Sequence, residues 1–333
     1  MRASSPSFRL RCALVRPMAE IAVGRVAVIG AGTMGTGIVQ TFARTGIPAV
    51  LVDSAEAALD RARRQIASDL ALCAEFGLLD APAERVQERI ELVASTAIAV
   101  AVEGCDVVIE SIPEILDAKR QLFLALDHLP RSTLIATNTS SFTVSELTAG
   151  MCTASRVVGL HYFNPAHIMP AVEIHRGAAT EGFALDRARA VMIATGKVPI
   201  SVKKEIAGFV INRLTGALER EIDHLLDEGI VSPNDLDAAV KASIGFRLAC
   251  LGPMEAEDMI GLDIAAIVSA NLYPKLSART TPSPELLAKV RRGDLGVKSG
   301  RGWYDYSDRS RDAVLQERNR KLLRQLQSSA PSR

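Results

Sequence analysis

The sequence predicts an α/β fold in which a doubly wound, mostly parallel sheet is followed by an all-α C-terminal domain. Up to residue 206, short apolar runs rich in β-branched residues alternate with helical patterns, as in a parallel sheet covered by helices. The first of these runs ends in a glycine-rich turn, and beyond Gly208 only helical patterns follow. We therefore predict an N-terminal extension over residues 1–22, a nucleotide-binding domain over 23–206, a helical domain over 207–306 and a charged helix and tail over 307–333.

The first strand and the turn after it predict a dinucleotide site. Residues 24–29 form the strand, and residues 30–35 (GAGTMG) open a helix whose amino terminus faces the phosphates. The second strand ends at Asp53, whose carboxylate accepts both ribose hydroxyls and repels a 2′-phosphate. The cofactor is therefore NAD, and this part of the chain is a Rossmann-type unit. The predicted cofactor-binding residues of the loop are Gly30, Ala31, Gly32, Thr33, Met34 and Gly35.

The remaining elements continue the same two-part plan. Further strands are predicted at residues 90–93, 107–111, 133–137, 157–161, 171–174 and 198–202. Helices of the second domain are predicted at 209–228, 233–242, 253–271 and 284–292, with Pro233 and Pro253 in first helical turns. Apolar residues on these helices, Leu225, Ile230, Val231 and Leu236, predict a homodimer through this domain.

Composition excludes several classes of partner. The net charge of +1 favours neither nucleic acid nor an anionic membrane surface, and no apolar run is long enough to span a bilayer. The five cysteines are scattered without a CxxC pair, which predicts buried thiols of a reducing, cytoplasmic compartment and no metal site. Residues 1–19 are basic and free of acids, so the start is either a mitochondrial transit peptide or an overextended beginning before Met18.

Three polar residues after the nucleotide-binding unit predict alcohol oxidation. Ser140 lies in residues 137–141 (TNTSS), His161 in 159–165 (GLHYFNP) and Glu173 in 172–174 (VEI). A hydroxyl, an imidazole and a carboxylate are the components of a base that removes a proton from an alcohol, and an imidazole exchanges protons near neutral pH. Beside a nicotinamide, such a base predicts interconversion of an alcohol and a ketone with a small-molecule substrate.

The order of these motifs resembles the L-3-hydroxyacyl-CoA dehydrogenase family over residues 23–306. The other motifs that carry the resemblance are residues 110–114 (ESIPE), 208–213 (GFVINR) and 296–304 (GVKSGRGWY). The resemblance implies that His161 is the general base, that Glu173 orients it and that Ser140 binds the reacting oxygen and helps to place it beside the nicotinamide. It also implies that Asn212 donates a hydrogen bond to the substrate. Glu110 and Lys298 occupy motif positions that line the cofactor and the cleft.

Other residues have simpler interpretations. His128, His167, His175 and His224 are interpreted as structural histidines. Ser141 is a candidate helix cap. Glu114 and Lys119 are interpreted as a solvated pair on one helix face, because a spacing of five is poor for direct contact.

Two departures from the family leave the substrate open. Residues 245–253 (GFRLACLGP) replace a shorter family motif and bring in Arg247, which either binds a substrate carboxylate or pairs with Glu255 or Asp258. Residues 68–83 contain no lysine or arginine, where acyl-CoA users tend to carry lysines that meet CoA phosphates. We predict oxidation of a short-chain 3-hydroxyacyl-CoA of the 3-hydroxybutyryl type. The alternative is a free 3-hydroxy acid or small carboxylated alcohol or aldehyde, as in the pyridine-carboxylate, carnitine and gulonate dehydrogenases of a side branch.

Two rival functions are distinguished by sequence. A lens-crystallin type of cofactor-binding protein without turnover is expected to have lost Ser140 or His161, and both are present. A β-hydroxyacid dehydrogenase uses a lysine base in its interdomain helix, whereas the corresponding helix here begins GFVIN without lysine. The nearest candidates for such a base are Lys203 and Lys204.

Overall fold

A computed structural model describes residues 23–328 of the chain. The predicted extension over residues 1–22 therefore lies outside the described residues. Contacts between Cα atoms divide the chain into two compact units. Among the described residues, the first comprises 23–210 together with 322–324, and the second comprises 211–321 and 325–328.

The first unit is built on one eight-stranded sheet. Its strands are β1 (Val26–Ile29), β2 (Ala49–Asp53), β3 (Ile90–Ala94), β4 (Val107–Glu110), β5 (Leu134–Thr137), β6 (Val157–Tyr162), β7 (Ala171–Arg176) and β8 (Val198–Val202). They lie in the order β3-β2-β1-β4-β5-β6-β7-β8, and every neighbouring pair is parallel except β6 and β7. The predicted doubly wound, mostly parallel sheet is confirmed. Because strand order reverses between β1 and β4, a ligand crevice is expected at their carboxyl ends.

Helices cover both faces of this sheet. They are α1 (Thr33–Ala43), α2 (Glu56–Glu75), α3 (Ala83–Gln87), α4 (Ile98–Ala101), α5 (Leu116–Leu126), α6 (Val144–Leu147) and α7 (Gly182–Ala194). Alternate residues of β1 enter opposite cores: Val26 and Val28 pack on one side, and Ala27 and Ile29 on the other. A strand with both faces buried reads as a continuous apolar run, which explains why β1 is apolar throughout.

The second unit is helical, as predicted. Its helices are α8 (Ile211–Asp227), α9 (Pro233–Val240), α10 (Phe246–Leu248), α11 (Pro253–Ile260), α12 (Leu262–Leu272), α13 (Pro284–Arg292) and most of α14 (Arg311–Ser328). A π-helical turn, Lys241–Gly245, joins α9 to α10. The single helix predicted over 253–271 is wrong: Gly261, at φ 103°, divides it into α11 and α12. No helix among residues 23–328 is long and apolar enough to cross a membrane.

Candidate active site

The glycine-rich turn between β1 and α1 has the shape that a bound dinucleotide needs. Gly30 adopts φ 105°, and a Cβ there would lie 2.5 Å from the carbonyl oxygen of Ser111. A Cβ on Gly35 would collide with the carbonyl oxygen of Gly30, so the helix packs on the strand only with glycine at this position. A Cβ on Gly32 would meet no protein atom within 4 Å. This residue therefore presents an open backbone surface to a phosphate group.

The amino terminus of α1 and the end of β2 complete the fit to NAD. The residue that caps α1 is Gly32, which provides no side chain to accept from the first helical N–H groups. Those donors therefore remain for an anion. Asp53 accepts hydrogen bonds from the backbone N–H of Ala31 (2.7 Å) and of Ala55 (2.8 Å). These bonds fix the carboxylate at the strand tip, where its remaining lone pairs suit ribose hydroxyls.

The antiparallel pairing of β6 with β7 brings together the predicted base and its carboxylate. His161 and Glu173 are directly opposite in the register, so their side chains extend from the same face of the sheet. Nδ1 of His161 lies 2.7 Å from Oε2 of Glu173, and both residues are buried. The backbone N–H of Val210 donates to the other carboxylate oxygen (3.1 Å). Because Nδ1 lies against Glu173, Nε2 is the ring nitrogen that this carboxylate does not engage.

Two aromatic rings enclose the His161 imidazole. Phe163 packs edge-on at a centroid distance of 4.7 Å, and Phe209 packs at 5.2 Å. Phe209 adopts φ 52°, in the left-handed region, which costs roughly 1–2 kcal/mol for a residue with a Cβ. This backbone turn buries the Phe209 ring beside His161 and also places the adjacent N–H of Val210 on Glu173.

A second histidine shares the buried site. His175 is 3% exposed, and its Nε2 lies 3.7 Å from Oε2 of Glu173. Its ring packs on Phe209 at 3.7 Å, and neither of its ring nitrogens has a hydrogen-bond partner in the described structure. Gly159 lies opposite His175 in the register, and a Cβ there would come within 2.9 Å of the His175 Cβ. His175 therefore lies beside the predicted base, and its interpretation as a structural histidine stays a prediction.

A buried lysine holds the loops after β4 and β5. Lys119 is 1% exposed, and its ammonium contacts Glu110 (2.5 Å), Glu114 (3.0 Å) and the carbonyl of Ile112 (3.1 Å). Glu110 also accepts from the hydroxyl of Thr137 (2.7 Å) and from the backbone N–H of Ile112 (2.8 Å). The interpretation of Lys119 and Glu114 as a solvated pair is therefore wrong. The Glu110 carboxylate is fully buried and is engaged by protein groups.

Glu114 anchors the loop that carries Ser140. Its Oε1 accepts from the hydroxyl of Thr139 (2.5 Å) and from the backbone N–H groups of Ser140 (2.9 Å) and Ser141 (3.1 Å). Burial alone would raise the pKa of Glu114, but hydrogen bonds from Thr139 and Lys119 outweigh it and lower the pKa. Ser140 itself is exposed. The cap of α6 is Thr143, in a capping box with Glu146, and not the candidate Ser141.

Comparison with known proteins decides the family. The model of the 3-hydroxyacyl-CoA dehydrogenase NAD-binding domain matches residues 25–206, and that of the C-terminal domain matches residues 208–306. The chain belongs to the 3-hydroxyacyl-CoA dehydrogenase family. It is therefore an NAD-dependent oxidoreductase that acts on CH–OH groups.

Members of the family with different substrates resemble the chain. It is 36% identical over 302 residues to 5-formyl-3-hydroxy-2-methylpyridine 4-carboxylate 5-dehydrogenase of Mesorhizobium japonicum, covering 90% of this chain and 96% of that protein. It is also 36% identical over 296 residues to a probable 3-hydroxybutyryl-CoA dehydrogenase of Bacillus subtilis, covering 86% and 99%.

Two solved structures that resemble the chain likewise belong to one pyridine-carboxylate dehydrogenase and one 3-hydroxybutyryl-CoA dehydrogenase. The structure of a 5-formyl-3-hydroxy-2-methylpyridine 4-carboxylic acid 5-dehydrogenase, described as an NAD+-dependent dismutase, is 35% identical. It matches with a TM-score of 0.85 over 94% of this chain and all of that chain. The (S)-3-hydroxybutyryl-CoA dehydrogenase of Ralstonia eutropha is 34% identical. It matches with a TM-score of 0.68 over 86% of this chain and 99% of its own.

The second unit of this family member carries the other predicted site residues. Asn212 lies half-buried in the first turn of α8, and Lys298 is exposed in the turn between Gly296 and Arg301. Arg247 is exposed on α10, and among the described residues its guanidinium pairs with neither Glu255 nor Asp258.

Three residues that contact the predicted site residues or their loops were not predicted as site residues: Lys119, His175 and Phe209. Lys119 carries no signal in the sequence, because its burial depends on β4 and β5 lying side by side. For His175, the signal was its spacing of two from Glu173, which places both side chains on the same face of one strand. The left-handed conformation of Phe209 has no signature in an isolated sequence.

Proposed function

We propose that this dehydrogenase oxidises an alcohol or hydrated aldehyde on a small carboxylate, with His161 as the general base. The contact of 2.7 Å between His161 Nδ1 and Glu173 carries the proposal, since it leaves Nε2 to take the hydroxyl proton. When bound, NAD+ supplies the acceptor for the hydride. Glu173 fixes the ring tautomer and stabilises the imidazolium that forms, while Phe163 and Phe209 keep water from the ring.

Three observations support a small carboxylate over a thioester. The match to the pyridine-carboxylate enzyme has the higher TM-score, 0.85 against 0.68. Residues 68–83 lack the basic side chains that CoA phosphates favour. Arg247 is exposed and has no acidic partner among the described residues, so its guanidinium is free to bind a carboxylate bidentately. Two further roles are proposed: Ser140 and Asn212 hydrogen-bond the substrate.

The second candidate is a short-chain 3-hydroxyacyl-CoA. The family models and the Bacillus subtilis relative favour it, since the latter is named a probable 3-hydroxybutyryl-CoA dehydrogenase. The same base and the same hydride acceptor serve either substrate. The two candidates therefore differ only in how the remote part of the substrate is bound.

Initial rates separate the two candidates. NADH is assayed against acetoacetyl-CoA, free acetoacetate and a panel of small keto acids, and NAD+ is assayed against pyridine carboxylates that carry an aldehyde. We expect a higher kcat/KM for a free acid than for the thioester. We also expect Arg247→Met to raise the KM of that acid about tenfold or more, as for loss of a charged hydrogen bond. Arg220→Met removes another exposed arginine and is the matched control. A strong preference for acetoacetyl-CoA would establish the second candidate instead.

We also propose that two copies of the chain associate through the second unit. Leu214 and Leu218 lie one turn apart on α8 and are 60% and 40% exposed, and Ile267 on α12 is 59% exposed. Of the apolar residues named from the sequence, Ile230 is 65% exposed. An apolar surface of this extent is typical of an interface. Light scattering at micromolar concentration should give the mass of a dimer, and Leu218→Asp should give a monomer. A native monomer would contradict the proposal.

The compartment is a further proposal. Cys152 and Cys250 are exposed free thiols, whereas the sequence predicted buried ones, and Cys73 and Cys105 are buried. Exposed free thiols favour a reducing compartment such as the cytoplasm.

A further inference from the structure

We propose that His161, Glu173 and His175 form a binding site for a divalent transition-metal ion such as Zn²⁺, and that a bound ion stops proton exchange at His161. The binding itself is independent of the function proposed above. Its effect on turnover depends on that function, because it requires His161 to be the base.

The three side chains already form a cluster of metal-ligating atoms. One ligating atom from each residue lies within 4.8 Å of the other two, and all three residues are buried. The shortest separation is 2.7 Å, between His161 Nδ1 and Glu173 Oε2, and His175 Nε2 is 3.7 Å from the same oxygen. Ligand atoms around a tetrahedral zinc ion lie roughly 3.3 Å apart, given Zn–N bonds of about 2.0 Å. Small side-chain movements are therefore enough to enclose an ion.

The unpartnered state of His175 is a second, independent observation. Both of its ring nitrogens are buried without a hydrogen-bond partner in the described structure, although buried polar groups are normally paired. The Nε2 atom faces the Glu173 carboxylate. Binding a cation would give this nitrogen a partner.

The chemistry of the donors selects the type of ion. Two imidazoles and one carboxylate suit zinc and cobalt, whereas Mg²⁺ and Ca²⁺ prefer sites made of oxygen atoms. Three protein ligands leave a fourth tetrahedral position for water or an anion. The site should therefore bind Zn²⁺ and Co²⁺ and should not bind Mg²⁺.

A bound ion would change the tautomer of His161. In the ion-free site, Nδ1 carries the proton that Glu173 accepts, and Nε2 holds the lone pair that removes the substrate proton. An ion on Nδ1 displaces that proton, and the neutral ring then carries its one proton on Nε2. The number of protons on the ring is unchanged, but Nε2 no longer has a lone pair that can accept the substrate proton. Zinc should thus act as a reversible inhibitor that EDTA removes.

Cobalt binding tests the site without reference to turnover. Co²⁺ is titrated into the purified full-length chain while its visible d–d absorption is recorded. We expect about one equivalent to bind with the strong absorption of a four-coordinate site, and we expect no thiolate charge-transfer band. His175→Gln should abolish the absorption. His128→Gln, which removes an exposed histidine 3.7 Å from Glu103, should leave it unchanged.

Zinc inhibition tests the effect on the base. Turnover is measured with and without Zn²⁺ in each variant, so that only the ratio of the two rates is compared. Since loss of even an outer-shell partner weakens metal binding about 10- to 100-fold, loss of the His175 ligand should raise the inhibiting zinc concentration at least roughly 100-fold. Mg²⁺ at the same concentration should not inhibit. Circular dichroism confirms that His175→Gln is folded, and Glu173→Gln provides a second ligand variant for the cobalt titration.

The outcomes separate this proposal from the proposed function. Absence of cobalt binding, binding that survives His175→Gln, or a thiolate band would overturn the metal site. Cobalt binding that depends on His175 but leaves turnover unaffected would retain the site and remove its effect on the base. Undiminished turnover in His161→Gln would remove the proposed function while the cobalt result still stands.

Discussion

Two buried polar clusters of the first unit differ in how many of their hydrogen-bonding groups have partners. In the first cluster, Lys119 uses its three N–H donors on Glu110, Glu114 and the carbonyl of Ile112. In the second cluster, His161 shares one nitrogen with Glu173 and keeps the other available, and both nitrogens of His175 lack hydrogen bonds in the described structure. The first cluster is saturated and the second is not.

The difference matches two tasks: the first cluster fixes two loops, and the second is proposed to exchange a proton. A saturated network in a low-dielectric interior is rigid, and it keeps the loops after β4 and β5 in one conformation. A base must gain and lose a proton, so it requires a ring nitrogen that no protein group occupies. We therefore expect changes in the first cluster to lower stability most, and changes in the second to lower turnover most.

The largest expected effect is that of Lys119→Met. The substitution leaves the buried carboxylate of Glu110 without its cation, which should lower the free energy of unfolding by about 3–5 kcal/mol. Urea denaturation measures this loss. The matched control is Lys241→Met, which breaks an exposed ion pair with Asp237 and should cost about 1 kcal/mol or less. Equal losses in the two variants would show that the Lys119 cluster is not a structural anchor.

The next effect is that of His161→Gln. Turnover should fall about 100-fold or more, equivalent to roughly 2.7 kcal/mol of barrier, while NADH binding persists. The loss of unfolding free energy should be smaller than in Lys119→Met, because glutamine can still donate to Glu173. Rates and denaturation of the same samples are compared, with the exposed His128→Gln as control. Turnover of His161→Gln equal to that of the control would refute the assignment of the base.

The smallest effect is the pH dependence of Glu114. Its pKa is lowered in the folded chain, so its carboxylate stabilises the fold above its ordinary pKa of 4.5, and this contribution is lost as pH falls further. Glu114→Gln should therefore lower the free energy of unfolding by about 1 kcal/mol at pH 7. The loss is small because the side chain is partly exposed and solvent screens its charge. In urea denaturation, the difference from the native chain should shrink as pH falls below 4.5 through the lowered pKa of Glu114. A difference that is constant with pH would show that the charge of Glu114 contributes nothing.

The sequence predicts the nucleotide-binding half well because its signals are local. The constraint on Gly35 arises from the carbonyl of Gly30 in the same turn, and Asp53 lies at the end of the next strand. The strands were found because each is a short apolar run. Gly261 is an exception: the helical pattern of apolar residues continues through it, but the backbone leaves the helical conformation there.

The polar clusters could not be predicted because they depend on which strands become neighbours. Only the antiparallel pairing of β6 and β7 makes His161 face Glu173, whereas His175 shares a strand face with Glu173 through its spacing of two. Likewise, Lys119 reads as a surface residue until β4 and β5 lie side by side and its ammonium is covered. The predicted roles of Ser140, His161 and Glu173 came from the motifs that contain them, and not from periodicity or composition.

Gly159 and His175 have to be exchanged together in any attempt to graft this pocket onto another dehydrogenase. The imidazole fills the volume that the missing side chain leaves on the adjacent strand, so a host with a larger residue at the first position has no room for a histidine at the second. Both positions must therefore be substituted in the same variant, whether the pair is installed in a host or removed from this chain. Either half alone would produce a clash or a hole.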